Sequence, residues 1–451
     1  MAKTKSVEQD INITLEDSIS INEFIDKDYM EYSLYVLKQR AIPSYIDGFK
    51  VVHRKLICAA LDNVVNKKIK VAELGSSLSS YGYGHGEVSA QDALTKMAAT
   101  WNNNLPLFEE HGNFGSRIIQ EPAAARYIYV KLADNFHKYF HDFEVCVPKD
   151  DNPEPINYLP IIPMCLVNGI SGMAIGFATN ILPRNPDDVR KACIEYLETR
   201  TITTPINVQY PKFNGIVSNP EHSKWQTEGI ITKEVKGRKI IYKITELPIN
   251  YDREKYYNVL LKLKTTEKIT DFDEKCDKNG FNFEVYVDEA IDKKIDDPLK
   301  YFKLRSMETE NLTTIDENGN LKIFNSVEDV IKAFCDYRVI KSKEMLDYQV
   351  AQLVVKISEL ELKLEFINKV ISKEIVLNNL TKKDLITVVK KMNNDVTDEI
   401  ADKIVGIPTY SFTQDNIAEL EKQIKKQYTM KTSFQKQTGK TALLTKLKGV
   451  V

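Results

Sequence analysis

Tyr81-Gly82-Tyr83-Gly84-His85-Gly86-Glu87 is the stretch on which the fold reading turns. Its alternating glycines cannot sustain a helix, because each is worse than alanine there by about 1 kcal/mol. A short helical pattern near Val71–Ser80 stops before them, and another starts near Glu87 and runs to about Thr100. Upstream, His53 to Val65 reads as a helix with Leu56, Ile57, Ala60 and Leu61 on one face. Asp28 to Arg40 is helical and Pro43 stops it, while Asp47-Gly48 marks a turn. Helix, tight turn, helix is the shape of a helix-turn-helix. His111-Gly112-Asn113-Phe114-Gly115-Ser116 then reads as a loop with short strands around it, which predicts a winged helix. Arg126-Tyr127 falls on or after the wing.

Composition sets the frame. A chain of 451 residues suggests roughly two to four domains, and 43% hydrophobic residues are enough for real cores. The net charge of −2 announces no global affinity for nucleic acid, so any such binding must come from local patches. Cys58, Cys146, Cys165, Cys193, Cys276 and Cys335 form no CxxC pair. That argues against a zinc ribbon or disulfide framework and for reduced thiols in a cytoplasmic compartment. No apolar run approaches the roughly 20 residues of a membrane span, and the polar start is no signal peptide.

Beyond about Pro148, strand and turn signals alternate with helices as far as Phe324, among them Lys239–Ile244, Phe281–Val287 and the hairpin signal Asn318-Gly319-Asn320, which predicts an α/β or α+β domain. Leu346, Val350, Leu353, Ile357, Leu360, Leu364, Ile367 and Ile371 form an unbroken heptad seam, read as a coiled coil in preference to one ordinary helical domain. After Pro408, Thr413 is the expected N-cap of an amphipathic helix through Ile417, Leu420 and Ile424, which predicts an antiparallel pair. From Lys422 to Lys448 there are lysines but no acidic residue, read as a solvated flexible tail, with DNA contact as the alternative.

Several chemistries drop out. Thr438-Gly439-Lys440-Thr441 ends like a phosphate-binding loop, but Phe434 stands where its first glycine belongs, so no ATP site is expected in this chain. His137 and His141 lack a third ligand at recognisable spacing, and no metal site is expected. Gly169 to Gly176 lacks dinucleotide-loop spacing and reads as a tight turn. Lys50, His53, Arg54 and Lys55 cluster at a helix start beside the helix-turn-helix, which fits phosphate contacts and equally fits a solvated helix face.

Taken in order, these segments resemble the breakage-reunion subunit of type IIA DNA topoisomerases: the gyrase A subunit, its topoisomerase IV counterpart and the C-terminal half of the eukaryotic enzyme. The resemblance is carried by Arg40-Ala41-Ile42-Pro43 with Asp47-Gly48-Phe49-Lys50 and His53-Arg54-Lys55, by His85-Gly86-Glu87, and by Gly112-Asn113-Phe114-Gly115-Ser116. Arg126-Tyr127, Leu166-Val167-Asn168-Gly169 through Ala178-Thr179-Asn180, Ile244-Thr245-Glu246-Leu247-Pro248 and Ile407-Pro408-Thr409-Tyr410-Ser411 complete it, so that it spans about residues 28–428. The chain's length is similar to that of the separate cleavage subunits of T4-like bacteriophages.

The resemblance implies a multidomain α+β protein. Its expected parts are an N-terminal arm (1–26), a winged-helix DNA-binding domain with the catalytic tyrosine (27–148) and an α/β tower domain (149–325). A long antiparallel coiled coil with a small helical dimer gate follows (326–435, gate about 376–412), then a basic tail (436–451). It implies Tyr127 as nucleophile with Arg126, Arg40 and His85 beside it, and Lys50, His53, Arg54, Lys55, Ser89 and the wedge residue Met173 on DNA. Tyr129 is the rival nucleophile, expected on the same side if both lie in one strand. The implied partners are double-stranded DNA, a second copy of this chain, and one or more separate subunits carrying the ATPase and Toprim domains. Those would hold Mg2+ and use ATP. A non-catalytic dimeric winged-helix scaffold, or a purely structural coiled-coil partner, is the alternative that composition and periodicity alone leave open, while the Arg126-Tyr127 context, the Asn113–Ser116 loop and the wedge segment favour the enzyme.

Overall fold

A computed structural model describes residues 21–63, 67–149, 152–237, 239–376, 380–392, 397–408 and 412–450. It divides into two compact units. The first takes residues up to Leu132, Met164–Asn185 and Asn207–Val327; the second takes Ala133–Pro163, Pro186–Ile206 and the chain from Glu328. Residues 133–148 and 186–206 therefore belong to the second unit.

In the first unit, residues 21–41 are helical, with π turns at Phe24–Tyr29 and Val36–Ala41. The helix thus starts earlier than Asp28, inside the expected arm, whose residues 1–20 lie outside the described ones. Val51–Asn63, Val71–Ser77 and Glu87–Ala98 are the next helices. The last buries Ala90, Leu94, Met97 and Ala98 on one stripe, and its acidic first residue faces the positive helix start. Gly82 closes the preceding 3-10 turn in the left-handed region at φ 70°, where a side chain is strained. A three-stranded antiparallel sheet places Tyr129–Leu132 between Ile69–Lys70 and Phe108–His111.

Further along, Ile230–Lys236, Lys239–Glu246, Phe283–Val287 and Asp271–Glu274 form a four-stranded antiparallel sheet. Its core includes Ile244, Leu247, Tyr256, Leu260, Phe283 and Phe302. Arg305–Thr309, Lys224–Glu228 and Ile216–Glu221 make a third sheet, also antiparallel. This region is therefore α+β, one of the two classes its strand and helix signals allow, rather than the α/β tower the resemblance implies. Hairpin turns join Ile216–Glu221 to Lys224–Glu228 and Ile230–Lys236 to Lys239–Glu246, and such connections allow only antiparallel neighbours. The Asn318-Gly319-Asn320 signal does close a hairpin, Thr313–Ile315 with Leu321–Ile323.

The second unit is built on one 45-residue helix, Val327–Ile371. Leu346, Leu353, Ile357 and Ile367 of the heptad seam are buried on it, but Ile371 is 47% exposed while Leu362 and Phe366, off the seam, are buried. An α-helix drifts by about 20° per heptad from a 3.5-residue repeat. Here the far end turns Leu362 and Phe366 into a small cluster with Leu385, Val389, Ala401 and Ile404. Within the gate expectation, Thr409-Tyr410-Ser411 lie outside the described residues. Gln414–Lys436 runs back antiparallel: Tyr428 donates to Glu361 (2.8 Å), and Gly439 lies against the carbonyl of Val339.

The expected basic tail is not a free tail. Gly439–Gly449 is a helix started by a capping box at Thr438 and Thr441, with Leu443 and Leu447 fully buried. Lys448 pairs with Glu198 (2.6 Å) and Lys446 with Asp142. Lys446 lies on the same side of this helix as the buried Ala442 and Leu443 and reaches Asp142, so the lysine run does not mark a solvated face.

Candidate nucleic-acid cleavage site

Tyr127 sits in the turn just before Tyr129–Leu132, with its amide bonded to Ala124 O (2.9 Å). The turn is pinned on both sides, because Ala125 O accepts from Ala72 N–H (3.2 Å) and Ile128 O from Val71 N–H (3.0 Å). The phenol is 66% exposed, unusual for an aromatic held on so constrained a backbone. The Arg126 guanidinium lies 4.7 Å from the ring centre, a cation held beside the phenol. Tyr129 is less exposed, at 38%, and pairs with Lys70 and His111 in the sheet. The alternation expected to align the two tyrosines does not apply, since only Tyr129 belongs to the strand.

A second cluster lines a cleft of about 1050 Å³, to which Arg40, Lys50, His53, His85, Ser89 and Lys96 contribute. Tyr127 and Arg126 are not among its walls. The structure thus gathers Arg40 and His85 with the DNA-contact candidates and places the tyrosine outside that cleft. His85 is exposed, 3.5 Å from Tyr35 Oη and edge-on to Tyr83 (5.2 Å). Tyr83, which sequence reasoning passed over, also donates to Ser89 (3.3 Å). Lys96 was missed as well, although Ser89, Asp92 and Lys96 at i, i+3 and i+7 share one helix face.

Lys50 donates to Ser171 O (2.7 Å), tying the helix start to the Ile170–Met173 and Ala178–Ile181 hairpin. The contact is close: a Cβ on Gly172 would lie 2.0 Å from Ala41 O. Burial, with Lys96 nearby, lowers the Lys50 ammonium. Met173 stands 86% exposed on this hairpin, opposite Ala178.

Two expected DNA contacts turn inward. Arg54 is buried and grips Asp47 with two bonds (2.7 and 2.9 Å) and Phe49 O (2.9 Å). Lys55 is buried and donates to Tyr81 O. Both brace the turns at Asp47 and Tyr81, where a buried cation is stable only when fully bonded. His53 remains on the cleft, but burial, then Lys50 and Arg54, push its imidazole down to about 3. It is therefore neutral at physiological pH. Its ring carbons should show no titration by NMR between about pH 5 and 8; an inflection near pH 6.5 would contradict this environment.

Residues 40–448 match the DNA gyrase/topoisomerase IV A-subunit family, and the chain belongs to that family. It is a type II DNA topoisomerase component of the cleavage and religation kind. It is 36% identical over 419 residues to the DNA topoisomerase medium subunit of Enterobacteria phage T4, covering 90% of this chain and 92% of that one. The mitochondrial DNA topoisomerase 2 of Dictyostelium discoideum is 30% identical over 399 residues, across 85% of this chain and 30% of that one. The crystal structure of the Plasmodium falciparum topoisomerase II DNA-binding, cleavage and re-ligation domain is similar with a TM-score of 0.85 at 27% identity, over 95% of this chain and 63% of that one. The chain thus spans nearly all of the phage protein's length but under a third of the Dictyostelium enzyme's.

Proposed function

We propose that Tyr127 cleaves DNA by attacking a backbone phosphorus. Its oxygen forms the new bond to phosphorus while the 3′ oxygen leaves and takes up a proton, so that a 5′-phosphotyrosine and a free 3′ hydroxyl result. Religation is the reverse, and because one phosphate ester replaces another, resealing needs no external energy. Two such chains cut both strands and let a second duplex pass, giving relaxation and decatenation. The observation that carries the reading is the exposed Tyr127 phenol on a pinned turn with a guanidinium beside it. A cation there stabilises the charge spreading over the phosphoryl oxygens. Arg40, His85, Lys50 and Lys96 would take the flanking phosphates along the cleft, with His53 a neutral partner and Ser89 a hydroxyl donor.

In this reading the helices and three-stranded sheet up to Leu132 act as the winged helix, the antiparallel sheets as the tower, and the 327–371 and 414–436 helices as the coiled coil with its dimer gate. A partner carrying the Toprim domain would hold Mg2+, and a partner ATPase would use ATP. Among the described residues of this chain, no group of three or more His, Cys, Asp or Glu could hold a metal. Mixing the chain with supercoiled DNA, magnesium and its partner, then denaturing, should leave protein on 5′ ends. Binding without adducts would instead support the non-catalytic scaffold.

Met173 is the proposed wedge, since an apolar side chain this exposed on a rigid hairpin can enter a base step. Met173→Ala should lower cleavage about tenfold and reduce the DNA bend while leaving affinity nearly intact. An unchanged bend angle in an imaging or fluorescence assay removes the wedge role.

A further inference from the structure

The loop that delivers Tyr127 is stapled to two different sheets. At its exit, backbone bonds from Val71 and Ala72 hold it beside the three-stranded sheet. Its middle reaches the four-stranded sheet instead. Arg117, 6% exposed, donates to the carbonyls of Leu247 (2.9 Å), Pro248 (2.7 Å) and Tyr251, with Phe281 5.3 Å from its guanidinium. Ile118 packs against that sheet's core, and its carbonyl accepts from Arg253 N–H (3.0 Å). Between these anchors the loop closes on itself, through Ala123 N–H to Asn113 O (2.9 Å) and Ser116 N–H to Ile119 O (2.7 Å).

The chemistry of Arg117 is uncommon for a mere brace. Its charge is buried, the carboxylates of Glu246 and Asp252 act on it through space, and its hydrogen-bond partners among the described residues are carbonyls. Its Nε has no partner among them. Such a desolvated cation carries a penalty, and what it achieves is geometric. A planar fork with five donors can span three carbonyls of one turn at fixed angles, which lysine cannot do.

We propose that Arg117 is a positioning residue for the Tyr127 nucleophile, locking the loop ahead of the tyrosine to the 247–251 turn so that the second sheet sets the angle of attack on phosphorus. The proposal rests on Tyr127 being the nucleophile. Attack geometry is sensitive, and a displacement of about 1 Å costs roughly 100-fold in rate.

The test uses Arg117→Ala and Arg117→Lys in the enzyme assembled with its partner chains. Arg117→Ala should slow adduct formation by about 10- to 100-fold with DNA affinity unchanged. Its amides at 113–127 should exchange faster with solvent, and added guanidinium ion should recover part of the rate. Arg117→Lys, which keeps charge and bulk, should fall between. An unchanged adduct rate overturns the proposal, as does a loss of DNA binding in step with adducts or a failure of guanidinium to recover any rate. Tyr127→Phe run alongside separates the two readings. Adducts persisting there defeat the nucleophile assignment, whereas the exchange measurement reports Arg117's hold on the loop independently.

Discussion

Tyr127→Phe should abolish covalent attachment to DNA, by a factor on the order of 10⁴ or more, as expected when a nucleophile is removed. The change deletes one hydroxyl from a side chain 66% exposed to solvent. Surface substitutions of this kind alter stability by about 0.5 kcal/mol or less, so a lost adduct cannot be blamed on folding. Duplex affinity should be kept, because the cations of the cleft at Arg40, Lys50 and Lys96 are untouched and lie apart from the tyrosine. The measurement is protein trapped on 5′ ends after denaturation, beside a binding titration at the same salt. Adducts that persist would transfer the role to Tyr129, and Tyr129→Phe would then be the variant that loses them.

Asp142→Ala should produce the largest stability loss, about 3–5 kcal/mol, the range for a broken buried ion pair. Asp142 and Arg338 are buried in the second unit, joined at 2.8 Å, while Lys446 takes the other carboxylate oxygen. Arg338 also donates to Pro160 O (2.8 Å). Removing the carboxylate leaves a buried guanidinium facing the Lys446 ammonium with nothing to balance either. Loss of hydrogen-exchange protection in the 327–371 helix is the readout, since a single midpoint is ill-defined for a chain of two units. A shift under about 1 kcal/mol would mean solvent already balances the pair.

The same cluster makes a pH prediction. Burial works to raise the Asp142 carboxyl, but attraction from Arg338 and Lys446 outweighs it and holds it below its ordinary value of 3.8. A carboxyl lowered in the folded state contributes stability that is complete above that unfolded value. The contribution fades as pH falls through the lower folded value. The Asp142 contribution should therefore be lost only in acid below about pH 4, whereas His141 beside it, its imidazole lowered by burial, costs stability as soon as pH falls below its ordinary value of 6.5.

Much of the cleavage region is legible in sequence because it is local. Glycines at 82, 84 and 86 end one helix and free the next, and the 112–116 loop hands the chain to the turn at Arg126-Tyr127 within a dozen residues. Apolar spacing alone places Ala90, Leu94 and Met97 on the buried stripe of Glu87–Ala98. The heptads from Leu346 to Ile371 mark the far part of the 327–371 helix, yet not its start nor where the stripe turns, because the packing of Leu362 and Phe366 depends on helices 20 to 40 residues away.

By itself, then, the amino-acid order determined most of the elements, their succession and the dipeptide proposed to carry the chemistry, since those follow from backbone preference, short-range periodicity and local motif. The tertiary structure decided which cations face outward. Arg54 and Lys55 sit in the same basic run as Lys50, yet they are buried on Asp47 and on the Tyr81 carbonyl. It likewise turned the lysine-rich end into a packed helix whose Lys446 meets an aspartate 304 residues earlier, and set Arg117 on a turn more than 130 residues beyond it. The physical reason is common to all three: a charge is stable in the interior only where the fold supplies its partner, and the partner's distance along the chain leaves no trace in local pattern.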